Sequence, residues 1–165
     1  MSYTFRIDTS ALKDEQILHF EDANSENSQY HRSGANRSIE DAQEQVRRAI
    51  ARLGGAVIAF VPVIFEQPER VGYLVEFVFR GGAYGQFPVA GLPIRSSTEI
   101  RKTHARVQAL MVVADILDAN ANAQRHIPLS NPLLLHLLID GKKTIAQMIA
   151  ERQELPERFL LSNGS

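Results

Sequence analysis

Basic residues gather at the start of the second long helix that the sequence predicts. Arg101 and Lys102 lie in its first turn, and Arg106 follows about one turn later. Cations near a helix N-terminus oppose the helix dipole, and each costs about 0.3–1 kcal/mol when exposed. A bound phosphate would turn that cost into a gain, because helix N-termini and basic side chains both favour anions. We therefore take these three residues as candidate contacts to nucleic-acid phosphates.

Arg80, Tyr84 and Arg95 are weaker candidates for the same interface. Arg80 precedes Gly81-Gly82, where main-chain amides could face a phosphate, and Tyr84 could stack on a base. The pair of glycines is also a standard β-hairpin signal, which is its commoner use.

Charge is unevenly distributed along the chain. The net charge is −1, from 18 basic and 19 acidic residues, which argues against a strongly basic nucleic-acid-binding protein. The first 30 residues are acidic, whereas residues 70–106 are basic. The basic region would therefore either meet an anionic partner or be neutralised by Glu66, Glu69 or the acidic arm.

The residue types and their spacing do not favour catalysis or metal binding. The chain has no Cys, so a thiol nucleophile and a thiolate metal site are excluded and a reducing compartment, the cytoplasm, is expected. The five His residues form no H-x-x-x-H pair, and no G-x-S-x-G motif is present. Only Glu76 could serve as a strand-borne acid of a metal-dependent nuclease. We expect no catalytic residue, metal site or cofactor.

The apolar pattern predicts an α+β fold with an antiparallel three-stranded sheet flanked by two helices, in α-β-β-β-α order, and a C-terminal helical extension. Ser38 is a favourable N-cap for the first helix, which Gly54-Gly55 ends. An apolar, β-rich run predicts a buried strand over 56–65, and alternation predicts a second over 71–80. The hairpin signal Gly81-Gly82 predicts that a third strand returns over 83–89. Pro88 places the third strand at an edge, because proline cannot donate to a neighbouring strand.

The second helix is expected to begin after Ser96, with Glu99 completing a capping box, and to run to about Asn120. Residues 1–37 form an acidic, polar arm with a short strand at 3–7 and a flexible linker over 21–37. Residues 38–165 form a single domain that includes the C-terminal extension.

The C-terminal extension contains an apolar run, Leu133–Ile139, whose length does not distinguish helix from strand. His136 lies within it and is expected to be a core or interface residue. A helix follows over 144–152, with Ile149 facing inward. The apolar run would offer a surface for self-association or for a protein partner.

The order helix, three antiparallel strands, helix, with a basic opening of the last helix, resembles that of double-stranded-RNA-binding domains. Those domains contact phosphates and 2′-hydroxyls largely by shape. A sheet followed by a basic helix is also similar to the core of single-strand annealing proteins. The Gly-rich, multi-lysine opening of the former family is reduced here to residues 96–102, so the resemblance is one of element order.

Two functions follow as hypotheses. The first is a non-catalytic nucleic-acid-binding module, with RNA or DNA as partner, that contacts phosphates through the start of the second long helix. The alternative is a protein-interaction or assembly subunit that binds a partner or itself through the apolar C-terminal segment. No membrane partner is expected, since the longest apolar stretch, Ala56–Phe65, is too short to span a bilayer.

Overall fold

The secondary structure follows the predicted order. The computed structural model describes residues 5–8, 18–23, 37–66, 68–128, 131–139 and 141–153. The helices are α1 (Phe20–Ala23), α2 (Ile39–Arg52), α3 (Glu99–Ala123) and α4 (Ile145–Gln153), with single 3₁₀ turns at Arg80–Gly82 and Pro132–His136. The strands are β1 (Phe5–Asp8), β2 (Gly55–Glu66), β3 (Arg70–Phe79), β4 (Tyr84–Ala90), β5 (Leu138–Ile139) and β6 (Lys143–Thr144). The α+β class and the α-β-β-β-α order with a C-terminal helix are confirmed.

The main sheet has the strand order β1-β2-β3-β4. β2, β3 and β4 are antiparallel neighbours, as predicted, and β4 is an edge strand. β1 adds a fourth strand that runs parallel to β2, with Phe5 opposite Val63. A register shift between Val57 and Ala59 bends β2. The small sheet pairs β5 with β6.

The two long helices pack together on one face of the main sheet. Alternate side chains of β3, including Val75 and Phe77, share one buried cluster with Ile50 of α2 and Leu110 of α3. Side chains on one face of a strand recur every second residue, so these positions fix which face the helices cover. The other face of β3 carries Glu76, which is partly exposed.

The helix caps confirm one prediction and correct another. Ser38 caps α2, and its hydroxyl accepts a hydrogen bond from the N–H of Asp41 at 3.1 Å. The predicted cap of α3 at Ser96 is wrong, because Thr98 holds that position and accepts from the N–H of Arg101 at 3.2 Å. The main-chain N–H of Ser96 instead donates to the carboxylate of Glu21.

The apolar C-terminal run begins as a 3₁₀ turn and continues as a strand. Asn131 caps the turn, accepting from the N–H of Leu133 at 3.0 Å and donating to the carbonyl of Leu53 at 2.8 Å. This side chain ties the turn to the end of α2, and Leu133 is completely buried. Ile149 of α4 was expected to face inward, but 46% of it is exposed.

The predicted N-terminal arm contributes β1 and α1. α1 includes residues 21–23, which composition had assigned to the flexible linker. The rest of that linker, 24–36, lies outside the described residues. The division of the chain at residue 37 stays a prediction.

Candidate nucleic-acid interface

The structure brings together three of the six candidate residues, Arg95, Arg101 and Lys102, which we call the basic cluster. They lie in the loop before α3 and in its first turn. α1 packs against this loop, and the main-chain N–H of Phe20 donates to the carbonyl of Pro93 at 2.9 Å. The acidic α1 is thus placed directly beside the basic cluster.

The carboxylate of Glu21 accepts three hydrogen bonds in this region. One oxygen accepts from the main-chain N–H of Arg95 at 3.1 Å. The other accepts from the N–H of Ser96 and from the guanidinium of Arg101, each at 3.2 Å. Arg101 also donates to the carbonyl of Ser96 at 2.9 Å, which fixes its side chain. We call these two N–H groups and the Arg101 guanidinium the anion cradle.

The two acidic residues of α1 are charged at neutral pH. Burial by itself would raise the pKa of the Glu21 carboxyl group, but hydrogen bonds from the N–H groups of Arg95, Glu21 and Ser96, with the charge of Arg101, lower it overall. The pKa of Asp22 is also lowered, chiefly by a hydrogen bond that Arg95 donates at 2.7 Å. The basic cluster therefore faces two negative charges.

An apolar anchor holds α1 in this position. Phe20 is 7% exposed and packs with Val71 and Ala105, against which Leu92 and Ile94 also pack. Burial of one Phe side chain stabilises a contact by about 1.5–3 kcal/mol. The placement of α1 therefore depends on a hydrophobic contact as well as on charge.

Acidic side chains neutralise the basic cluster, which is one of the two possibilities that the sequence left open. Arg101 pairs with Glu21 and Arg95 with Asp22. Lys102 lies 3.4 Å from Glu99. Glu66, another predicted source of neutralisation, instead pairs with Arg6 at 2.8 Å. The acids of the arm are the main counter-charges of the basic cluster.

Lys102 also borders a small cleft of about 60 Å³. Glu69 and Arg70 at the start of β3, together with Ser97, line its other sides. A phosphate oxygen that reached Lys102 would enter beside Glu69, so this edge of the basic cluster is less favourable to anions than the anion cradle.

Arg106 does not belong to the basic cluster. It follows Lys102 by one helical turn on the same face of α3, but it is turned toward the sheet and not toward the basic cluster. Its charge acts on Tyr73 in the core: burial raises the pKa of the Tyr73 hydroxyl, and Arg106 partly offsets that rise. The buried Nε of Arg106 has no hydrogen-bond partner among the residues described.

Arg80 and Tyr84 lie at the opposite end of the sheet. β4 runs from Tyr84 to Ala90 before the chain reaches Arg95, and at about 3.3 Å per residue this strand separates them by roughly 20 Å. Tyr84 is 62% exposed and stands opposite Val78, on the sheet face that the helices leave uncovered. The two residues are therefore separate from the basic cluster.

A second surface is apolar and surrounds a pocket between α3 and the 3₁₀ turn at 132–136. The pocket has a volume of about 150 Å³ and is lined by Phe87, Val113, Ile116, Leu117, Pro132, Leu133 and His136. Ile116, Leu134 and Leu135 are 53%, 37% and 48% exposed. We call these three side chains the apolar patch.

His136 supplies the polar part of this pocket. Its ring lies 5.6 Å from that of Phe87, measured between centroids, and burial lowers the pKa of the imidazole. The imidazole is consequently neutral at pH 7, which suits an apolar surrounding. The expectation that His136 is a core or interface residue agrees with this half-buried position.

The described residues hold neither a metal-ligand cluster nor a membrane-spanning helix. Within these ranges, no three His, Asp or Glu side chains group closely enough to hold a metal ion. In the same part of the chain, no helix has both the length and the apolar character to cross a membrane. Comparisons with protein-family models, with curated proteins and with solved structures returned no match.

Proposed function

We propose that this protein is a non-catalytic nucleic-acid-binding module whose phosphate contacts are made at the start of α3. Arg95, Arg101 and Lys102 are the binding residues of this proposal. Arg106 is left out because it acts on the core. Arg80 and Tyr84 would contact a second, distant part of a long ligand. The absence of Cys fits a protein of the cytoplasm.

The observation that carries the proposal is the carboxylate seated in the anion cradle. Two main-chain N–H groups and one guanidinium converge on the oxygens of Glu21 at 3.1–3.2 Å. Phosphate oxygens in nucleic-acid complexes are bound by the same kinds of donor. Charge-assisted bonds of this type are about twice as strong as neutral ones, so the cradle suits an oxyanion.

Titration of the protein into labelled single- and double-stranded RNA and DNA tests the proposal, with fluorescence anisotropy as the readout. We expect binding at about 50 mM salt that weakens about 40-fold at about 200 mM. Three phosphate contacts give this factor. Each contributes about −0.9 to the slope of the logarithm of the binding constant against the logarithm of the salt concentration. The preferred strand form identifies the ligand class.

Two outcomes would contradict the proposal. The first is no binding to any of the four ligands at the lower salt. The second is binding whose affinity does not change between the two salt concentrations, because contacts to phosphates release counterions and must respond to salt.

The apolar patch favours a second candidate function, self-association. Ile116 lines the pocket, and Leu134 and Leu135 belong to the 3₁₀ turn beside it; all three are large, exposed apolar side chains. Exposed apolar clusters of this kind mark contact surfaces more often than isolated apolar residues do. A second copy of the chain would cover the patch and exclude water from it.

Light scattering at about 100 µM protein tests self-association, a concentration at which a weak dimer with a micromolar Kd is populated. We expect a dimer for the original chain and a monomer for the Leu134→Asp/Leu135→Asp variant, because two buried charges would oppose association. Ile58→Asp places a charge at an exposed apolar position on β2, outside the apolar patch, and should leave the dimer intact. A strictly monomeric original chain rules this candidate out.

A further inference from the structure

We propose that the segment Leu18–Ala23 competes with nucleic acid for the anion cradle and keeps it occupied until a ligand displaces it. The inference rests on the proposed function and adds its regulation. Its basis is that Glu21 and Asp22 engage two of the three cations, Arg95 and Arg101, and both main-chain donors that the phosphates would use.

The hydrogen bonds between α1 and the anion cradle have a defined geometry. Glu21 uses both carboxylate oxygens, and Asp22 pairs with the side chain of Arg95 while Glu21 accepts from its main-chain N–H. A phosphate cannot share these donors with a carboxylate at hydrogen-bond distance, because the two anions would overlap and repel. Binding of nucleic acid and docking of α1 therefore exclude each other at this site.

The segment Leu18–Ala23 is held at the cradle by apolar packing and a main-chain hydrogen bond as well as by charge. Phe20 is buried against Val71 and Ala105, and its N–H donates to the carbonyl of Pro93. Because the segment belongs to the same chain, its effective concentration at the cradle is fixed and does not fall on dilution. The apparent affinity for nucleic acid is then the affinity of the open state multiplied by the fraction of molecules that are open.

Two variants release the segment by different physical means. Glu21→Gln/Asp22→Asn removes its two charges and leaves Phe20 in place. Phe20→Ala removes the anchor and leaves both charges on the chain. Each variant should increase affinity for the preferred ligand about tenfold at 50 mM salt, which is the smallest effect expected from losing one charge-assisted hydrogen bond or one buried ring.

The matched control is Asp115→Asn/Asp118→Asn. It removes the same charge from α3 about 20 Å along the helix from Arg101, which is beyond a Debye length. Its affinity should stay within about twofold of the original chain. Far-UV circular dichroism of each variant establishes that the fold is kept.

The amide signals of Arg95 and Ser96 in ¹H–¹⁵N NMR spectra give a second readout. Both should shift in Phe20→Ala without ligand, because their acceptor leaves. The proposal is supported when both released variants bind about tenfold more tightly and the control does not. It is overturned when only the charge-removed variant gains affinity, since that is a long-range charge effect, or when all four proteins bind equally.

The two proposals fail in different ways. Equal, salt-sensitive binding by every variant removes the competition but keeps the proposed function. If no variant binds at 50 mM salt, including the two in which the segment Leu18–Ala23 is released from the cradle, both the proposed function and the competition are ruled out.

Discussion

Replacing Gly72 by Ala is expected to lower the free energy of unfolding by about 3 kcal/mol, at the upper end of the usual effect of overpacking. A Cβ atom at Gly72 would overlap the main-chain carbonyl oxygen of Val89 and would lie 3.0 Å from the ring of Phe65. A carbonyl oxygen in a paired strand cannot rotate away as a side chain can. β3 and β4 would have to separate locally, which weakens the pairing of Gly72 with Ala90. Urea denaturation followed by circular dichroism measures this loss.

Gly81→Ala is the matched control. It adds the same methyl group at a position where nothing lies within 4 Å, although its φ of 81° is unfavourable for alanine. Backbone strain of this kind costs about 1–2 kcal/mol. Gly72→Ala should therefore be clearly the less stable variant, and equal losses in the two would mean that β3 and β4 do not approach each other closely at Gly72.

Reversing the charges of the basic cluster should nearly abolish nucleic-acid binding. For Arg101→Glu/Lys102→Glu we expect about a 100-fold loss of affinity at 50 mM salt, because two phosphate contacts become two repulsions. The salt dependence should flatten as well, by about 0.9 in the logarithmic slope for each phosphate that is no longer bound. Anisotropy titration at several salt concentrations measures both quantities.

The reversal should leave α3 folded, although it puts a repulsion in place of the Arg101–Glu21 ion pair that helps to hold α1. Acidic residues in the first turn of α3 complement the helix dipole, which the present cations oppose. Arg125→Glu/Lys142→Glu serves as the control, since it changes net charge equally at two exposed positions outside the basic cluster. If the control loses as much affinity as the reversal, binding follows net charge and the start of α3 is not the site.

The fold could be predicted where the sequence contains local periodicity. In α2, apolar residues recur at helical spacing, as at Val46, Ala49 and Ile50, and in β3 they alternate; both patterns lie within a few residues. The side chains in these patterns are in the core. Caps are less certain, because Ser96 and Thr98 have equally suitable hydroxyl groups and the choice depends on where the chain turns. Here the N–H of Ser96 binds Glu21, and Thr98 caps α3.

The site was predicted only in part, because its decisive contacts join distant parts of the chain. Glu21 and Arg101 are 80 residues apart, and Asp22 and Arg95 are 73 residues apart. Charge asymmetry indicated that the acidic arm could neutralise the basic region, but no local pattern identifies which acids do so. Phe20 was the missed residue: a large apolar side chain immediately before two acids is the signal that the arm contains a docking element.

The parallel strand β1 has a consequence for the order in which the protein is assembled during synthesis. Arg6 and Glu66, which pair at the junction of β1 and β2, are 60 residues apart, whereas β2, β3 and β4 follow one another. β1 leaves the ribosome before β2 and has no partner until β2 has been made. Loop closure over such a distance is slow compared with the formation of neighbouring hairpins. The outer edge of β2 at residues 63–66 is thus closed at a late stage of folding, by a strand that was synthesised well before it.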